Sequence, residues 1–167
     1  MKRLLLFVGA ALLGTVIDAA AQNAVFVVRH AERADGGAGG ATSMANDPDL
    51  SDVGRTRALA LAAALKDAGV TAIFVTEYKR TQQTAEPLAK LLGIQPTIVS
   101  AKDAPGLLDK AKAVTGRALI VGHSNTVPDI LGRLGVENPP KLGDADYDDL
   151  FIVSLADKVT LYRLHYR

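Results

Sequence analysis

The sequence predicts an α/β fold, a three-layer α/β/α sandwich around a mainly parallel sheet with an antiparallel edge hairpin at the C-terminus. Short apolar runs rich in β-branched residues alternate along the chain with stretches of helical periodicity. This alternation is typical of a parallel sheet that helices cover on both faces. The last two apolar runs, Leu150 to Leu155 and Val159 to His165, flank a short polar segment, which predicts the hairpin.

The individual elements follow in order. The run Ala24 to Val28 (AVFVV) predicts a central strand buried on both faces. Ser51 has a hydroxyl that can cap the next helix, which ends near Gly69. The apolar positions of that helix recur at helical spacing at Leu59, Ala62, Ala63 and Leu65. The remaining predicted elements are a strand over Ala72 to Val75, a helix from Arg80 to Leu92 that stops at Gly93, a strand over Pro96 to Val99, a helix within 104–116, a strand over Ala118 to Val121 and a helix over Val127 to Leu134.

The N-terminal segment has the layout of a secretory signal peptide. Lys2 and Arg3 precede an apolar stretch from Leu4 to Ile17, and small residues follow up to Ala21. This stretch is shorter than the roughly 20 residues that a spanning helix needs. We therefore expect residues 1–21 to be a signal peptide, residues 22–167 to form one domain, and the protein to be exported to the periplasm or secreted. An uncleaved anchor is the alternative; after cleavage no stable membrane span is expected.

Composition excludes several classes of function. Without residues 1–21, basic and acidic residues are equal in number, so nothing indicates a nucleic-acid surface. The chain has no cysteine, which excludes disulfides, a thiol nucleophile and a zinc–thiolate site. We predict no cofactor. Catalysis must therefore come from other side chains, and the position of each of the three histidines, His30, His123 and His165, is considered in turn.

Polar side chains follow three of the predicted strands at the point where each strand ends. These segments are Arg29 to Glu32, Thr76 to Arg80, and Gly122 to Asn125. In open α/β sheets, ligands bind at the carboxyl ends of the strands, so two histidines and two arginines can converge on one pocket. Such a pocket suits a phosphate dianion, because guanidinium groups offer paired donors and stay charged.

His30 is the predicted nucleophile. A hydrogen bond from its Nδ1–H to a nearby backbone carbonyl would leave Nε2 free to attack phosphorus, and water would then hydrolyse the phosphohistidine. Two nearby arginines would lower its pKa and favour the neutral, nucleophilic ring. Arg29, Arg80 and His123 would bind the phosphoryl oxygens.

Four motifs in this order resemble the histidine phosphatase superfamily, also called the phosphoglycerate mutase-like family. They are Arg29-His30, the segment Leu50-Ser51-x-x-Gly54, the segment Thr76 to Ala85 (TEYKRTQQTA), and Gly122-His123-Ser124. The resemblance spans about residues 24–130. It implies that His30 is phosphorylated and that Arg29, Arg80 and His123 bind and polarise the phosphate. From their position after the strand, Ser124 or Asn125 either adds a donor to the phosphate or starts a turn.

The chain departs from the family pattern in two places. Ala31 stands where many members have glycine, and no carboxylate is clearly placed to protonate the leaving group. Asp103 and Glu32 are the candidates for that acid. A carboxyl group beside arginines is pushed towards ionisation, so Glu32 is alternatively a structural partner of Arg33 or Arg29.

Three other functions remain open. Metal-assisted hydrolysis through His30 and His123 is disfavoured, because two arginines repel a divalent cation and no H-E-x-x-H helix is present; we predict no metal. A non-catalytic exported phosphate- or anion-binding protein would keep the arginines without using His30 as nucleophile. A phosphomutase would need longer insertions to exclude water. The expected partner is a phosphorylated small molecule or phosphoprotein substrate.

Two further features are predicted to be structural. His165 lies in the last strand with no motif around it. The acidic run from Asp144 to Asp149 lacks the spaced ligands of a calcium loop and is predicted to be a solvated loop.

Overall fold

The computed structural model describes residues 24–36 and 47–167. The predicted signal peptide and most of the glycine-rich loop after the first strand lie outside the described residues. The strands are β1 (Ala24–Arg29), β2 (Val70–Val75), β3 (Thr97–Ile98), β4 (Arg117–Gly122), β5 (Asp149–Ser154) and β6 (Thr160–His165). The helices are α1 (Asp52–Leu65), α2 (Lys79–Leu92), α3 (Ala104–Lys112) and α4 (Thr126–Arg133).

The six strands form one sheet in the order β3-β2-β4-β1-β5-β6. The first four strands in this order are parallel, whereas β5 pairs with β1 in the antiparallel sense and β6 pairs with β5 in the same way. The prediction of a mainly parallel sheet with an antiparallel C-terminal hairpin is confirmed. Since β5 runs in the opposite direction to β1, the segment that leads into β5 lies beside the carboxyl end of β1.

Helices cover both faces of the sheet. On one face Val25 and Val27 of β1 pack with α3 and α4, and on the other face Phe26 and Val28 pack with α1 and α2. All four side chains are at most 5% exposed. The unbroken apolar run of β1 is therefore explained, because neither face of this strand meets water.

Helix boundaries follow local signals in the sequence. The Ser51 hydroxyl caps α1 by accepting a hydrogen bond from the Gly54 N–H at 3.0 Å. Gly93 ends α2 in the left-handed conformation, with φ of 67°. The predicted helix within 104–116 ends earlier, at Lys112. Among the described residues, no helix combines the length and the apolar character needed to cross a membrane.

One face of α1 differs from the prediction. Leu59 is 61% exposed and Ala63 is also exposed, whereas the buried residues are Gly54, Ala58, Leu61, Ala62 and Leu65. The helix packs closely on the segment after His30, because a Cβ at Gly54 would lie 2.2 Å from the Glu32 carbonyl oxygen. That contact requires glycine and determines which side of the helix faces inwards.

Candidate active site

The carboxyl ends of β1, β2 and β4 bring four predicted residues together. His30 follows β1, and its ring centre lies 5.4 Å from that of His123, which follows β4, in an edge-to-face arrangement. Arg29 is the last residue of β1, and Arg80 is in the first turn of α2, just beyond β2. All four residues are buried, with exposures of 3 to 7%. The structure thus forms one cluster from segments up to 94 residues apart, as the positions of His123 and Arg29 show.

His30 is held in one orientation by its backbone and its ring. Its N–H donates to the Gly122 carbonyl at 2.9 Å, which attaches it to β4. Its Nδ1 lies 2.8 Å from the Ala31 carbonyl oxygen. A carbonyl oxygen only accepts, so Nδ1 carries the hydrogen and the neutral ring has its lone pair on Nε2. This is the geometry that a nucleophilic imidazole needs.

Both clustered histidines are neutral over the ordinary pH range. Burial above all lowers the pKa of His30 from 6.5 to about 3; the Ala31 hydrogen bond opposes this shift, and the electrostatic effects of His123, Arg80 and Arg29 contribute to it. Burial, followed by the charges of Arg80, Arg29 and Arg33, likewise lowers the pKa of His123 to about 3. An uncharged His30 retains the lone pair that attacks phosphorus.

These pKa values predict an acid-sensitive fold. In the folded chain both imidazoles stay neutral down to about pH 3, whereas the unfolded chain protonates them below about 6.5. Because the unfolded state binds more protons in this window, each histidine should reduce the free energy of unfolding by about 1.4 kcal/mol per pH unit as pH falls below 6.5. Urea unfolding at pH 7, 6 and 5 measures this slope. A His30→Gln, His123→Gln double variant should show a shallower slope, and an equal slope would contradict the assignment.

Arg29 is held by neutral groups. Its Nη1 donates to the carbonyl oxygens of Gly143 and Asp144 at 2.9 and 3.1 Å and, more weakly, to that of Asp146 at 3.4 Å. The guanidinium carbon lies 3.9 Å from the centre of the Tyr147 ring. Burial lowers the pKa of Arg29, although Tyr147 and the neighbouring aspartates oppose this effect. The guanidinium is therefore fixed in place with no carboxylate of the described residues bonded to it.

Arg80 has a similar environment at the start of α2. Its guanidinium carbon lies 4.3 Å from the centre of the Tyr78 ring, and that ring also meets His123 edge to face at 5.5 Å. The nearest carboxylate is Asp47, whose Oδ1 is 3.6 Å from Nη1. Asp47 also accepts from the Lys79 N–H at 3.1 Å. Burial and the charge of Arg33 lower the pKa of Arg80.

Several buried nitrogen atoms of this cluster have no hydrogen-bond partner within the described part of the chain. Buried polar atoms of this kind are costly unless an acceptor meets them. An anion with several oxygen acceptors, such as a phosphoryl group, would satisfy them together. The unpartnered buried atoms are Arg29 Nε, Arg80 Nε, Arg80 Nη1 and His123 Nε2.

The two predicted acids lie in other environments. The Glu32 carboxylate forms a paired salt bridge with Arg57 of α1, with distances of 2.6 to 2.9 Å. The expectation that Glu32 pairs with Arg33 or Arg29 is wrong. Asp103 is exposed and caps α3 by accepting from the Gly106 N–H at 2.9 Å. Neither carboxylate forms a hydrogen bond with His30 or His123 in the described part of the chain. The carboxylate that lies beside Arg80 is that of Asp47.

The other predicted residues divide between the cluster and the surface. Ser124 is half-buried in the turn directly after His123. His165 is half-exposed in β6 and faces Asp148 and Asp149 at 3.4 and 3.3 Å. The expectation of a solvated acidic run is wrong in part, since Asp149 is 1% exposed and pairs with Arg163 at 2.7 Å.

Sequence reasoning missed four neighbours of the cluster. Tyr78 and Tyr147 stack on the arginines, and Asp47 lies beside Arg80. Arg33 is 8% exposed, pairs with Asp35 at 2.6 Å, and lowers the pKa of His123. The tyrosines carried a signal, because each is an aromatic residue within a polar segment next to a strand end.

Cavity size alone does not identify this site. A cavity of about 700 Å³ lies along α2 and beside β3, lined by residues such as Lys79, Gln83 and Ile98. None of the four clustered residues lines it. The chemistry of the buried side chains, rather than volume, marks the candidate site.

Comparisons with known proteins support the fold, and the matched segment includes the carboxyl ends of β1 and β2. Residues 25–102 match the model of the histidine phosphatase superfamily (branch 1). A search of curated proteins gives no match. A mycobacterial glucosyl-3-phosphoglycerate phosphatase in complex with VO3 is 15% identical, with a TM-score of 0.67, covering 86% of this chain and 98% of that one.

Two further solved structures have the same fold. The putative phosphohistidine phosphatase SixA from Agrobacterium tumefaciens is 18% identical, with a TM-score of 0.61 over 84% of this chain and 97% of that one. The protein histidine phosphatase SixA in complex with tungstate is 16% identical, with a TM-score of 0.63 over 85% and 96%. Identities this low show the fold alone, and the family match covers the segments that carry Arg29, His30 and Arg80. The chain therefore shares the fold of these phosphatases, and its residues 25–102 are similar to the histidine phosphatase superfamily (branch 1).

Proposed function

We propose that this protein is a phosphomonoester hydrolase that acts through a phosphohistidine intermediate on His30. The observation that carries the proposal is the pairing of a neutral, fixed imidazole with buried arginine donors that have no acceptor among residues 24–36 and 47–167. Such donors bind a dianion and stabilise the charge that spreads over its equatorial oxygens during transfer. Members of the same fold family whose names describe phosphatases support the reaction class.

The reaction follows from the geometry of His30. Its Nε2 attacks phosphorus, the bond from phosphorus to the ester oxygen breaks, and the departing oxygen takes a proton. Water then attacks the phosphohistidine and releases inorganic phosphate, which returns Nε2 to its neutral state. Arg29, Arg80 and His123 hold the phosphoryl oxygens through both steps. Glu32 does not serve as the proton donor to the leaving oxygen in this scheme, because its carboxylate forms a salt bridge with Arg57.

The same environment favours a reaction without a metal ion. Arg29, Arg80 and Arg33 all act electrostatically on His123, and their positive charges oppose a divalent cation beside the histidines. The N-terminal segment further supports export to the periplasm or secretion as the setting of this activity. The substrate we propose is a phosphorylated small molecule or a phosphoprotein.

A chromogenic phosphomonoester tests the proposal. The purified domain should release phosphate from p-nitrophenyl phosphate equally well with and without EDTA. Brief incubation with ³²P-labelled substrate should trap a phosphoenzyme that is labile to acid and stable to alkali. Phosphate binding without turnover would instead support an anion-binding protein, and turnover lost in EDTA would support metal-assisted hydrolysis.

A further inference from the structure

The segment from Gly143 to Tyr147 surrounds the guanidinium of Arg29. It supplies the backbone carbonyl oxygens that bind Nη1, at 2.9 and 3.1 Å for the two shortest contacts. It also supplies the Tyr147 ring, 3.9 Å from the guanidinium carbon. One edge and one face of the guanidinium are thus occupied by a single stretch of chain that leads into β5.

This segment and the two residues after it are acidic, and the charges of Asp144 and Asp146 raise the pKa of Arg29 against the effect of burial, yet three of the carboxylates are bonded to other groups. Asp146 accepts from the Gly143 N–H at 2.7 Å, Asp148 pairs with Arg167 at 3.2 Å, and Asp149 pairs with Arg163 at 2.7 Å. Within the described part of the chain, Arg29 contacts backbone carbonyl oxygens and an aromatic face. Its positive charge is therefore held without being neutralised by a bonded carboxylate.

Two other arginines, Arg33 and Arg57, are bound differently. Arg33 forms a paired contact with the Asp35 carboxylate at 2.8 and 2.6 Å, and Arg57 does so with Glu32 at 2.8 and 2.6 Å. Hydrogen bonds to these carboxylates raise the pKa of both arginines, whereas burial lowers that of Arg29. Arg29 thus differs from these two carboxylate-paired arginines and keeps a buried Nε without a partner among the described residues.

Tyr147 is itself fixed from the C-terminal end of the chain. Its carbonyl oxygen accepts from the hydroxyl of Tyr166 at 3.2 Å, and the Tyr166 N–H donates to the Asp148 carbonyl at 2.9 Å. Tyr166 is 5% exposed. The Tyr147 ring also lies 6.1 Å from the His30 ring, so it contacts Arg29 on one side and borders the proposed nucleophile on the other.

We infer that Tyr147 is a positioning residue for phosphate binding, in which its aromatic face fixes the plane of the Arg29 guanidinium so that the unpartnered Nε edge meets the phosphoryl oxygens. The inference rests on the proposed function, because it gives Arg29 the same phosphate ligand. The aromatic face is essential to this role and the hydroxyl is not. A leucine at this position fills similar space without attracting a cation.

The test compares Tyr147→Leu with Tyr147→Phe, and uses Tyr162→Leu as a matched control at a 56% exposed tyrosine of β6. Calorimetry measures the Kd for inorganic phosphate, and p-nitrophenyl phosphate assays give KM and kcat. Tyr147→Leu should raise Kd and KM together by about tenfold, the size expected for a buried cation–π contact, while kcat changes less than threefold and Tm stays close to that of the wild type. Tyr147→Phe and Tyr162→Leu should match the wild type.

The possible outcomes distinguish the positioning role of Tyr147 from the proposed hydrolase function. An unchanged Kd in Tyr147→Leu, or an equal loss in Tyr147→Phe, would overturn the positioning role while leaving catalysis by His30 intact. Wild-type protein that binds phosphate without turnover would overturn the hydrolase proposal, and the Kd series would still decide the role of Tyr147. Wild-type protein that binds no phosphate would overturn both.

Discussion

Replacement of His30 with alanine is expected to reduce phosphomonoester turnover by on the order of 10⁵-fold or more, because removal of a nucleophile eliminates the covalent route. The variant should also give no trapped phosphoenzyme. Arg29 and Arg80 remain in place, so inorganic phosphate should still bind. The variant should fold, with a loss of about 1–3 kcal/mol for the Ala31 carbonyl that no longer receives the Nδ1–H.

His165→Ala is the matched control for this prediction. His165 is the half-exposed histidine of β6, and its ring contacts are with Asp148 and Asp149 rather than with the cluster. Turnover and phosphoenzyme formation should be unchanged in this variant. Near-normal turnover in His30→Ala would disprove the mechanism, whereas a misfolded protein by circular dichroism would require the same assay with His30→Gln.

Arg80→Met is expected to have opposite effects on activity and stability. The guanidinium is 3% exposed, and its Nε and Nη1 lack hydrogen-bond partners among the described residues. Loss of these donors should lower kcat/KM by about 10²–10³-fold, the usual effect of removing one donor to transition-state charge. In phosphate-free buffer the free energy of unfolding should rise by about 1–2 kcal/mol, because an apolar side chain of similar length replaces a buried cation.

Arg57→Met is the control for the stability measurement. Arg57 is a half-buried arginine whose guanidinium is fully paired with the Glu32 carboxylate. Its replacement should lower the free energy of unfolding, by about 1–3 kcal/mol, because Glu32 loses its partner. Equal destabilisation in Arg80→Met and Arg57→Met would show that Arg80 is a structural residue, contrary to the phosphate-binding role.

Local signals in the sequence predicted most of the fold. β1 was recognisable because burial on both faces requires an unbroken apolar run, and α1 and α2 were recognisable by the Ser51 cap and the left-handed Gly93. The inward face of α1 could not be recognised from the sequence. Its alanine-rich sequence offers apolar residues on several sides, and the deciding contact is between Gly54 and the Glu32 carbonyl of a distant segment.

The cluster was predictable where topology alone brings residues together. Arg29, His30 and His123 follow strands that end at one edge of the sheet, and this position is encoded in the strand pattern. Tyr147 and Asp47 enter from segments outside that pattern, and the partner of Glu32 is a helical arginine 25 residues away. Such pairings depend on side-chain geometry between loops, which local periodicity does not carry.

The position of β1 in the sheet has a consequence for how activity is acquired during folding. Its two neighbours are β4 and β5, and the hydrogen bond from Arg29 to Gly143 joins residues 114 positions apart. Closing loops of this length is entropically costly and slow. No N-terminal fragment can therefore hold Arg29 as the full chain does, and recovery of phosphate binding during refolding reports the completion of the sheet rather than the formation of its first strands.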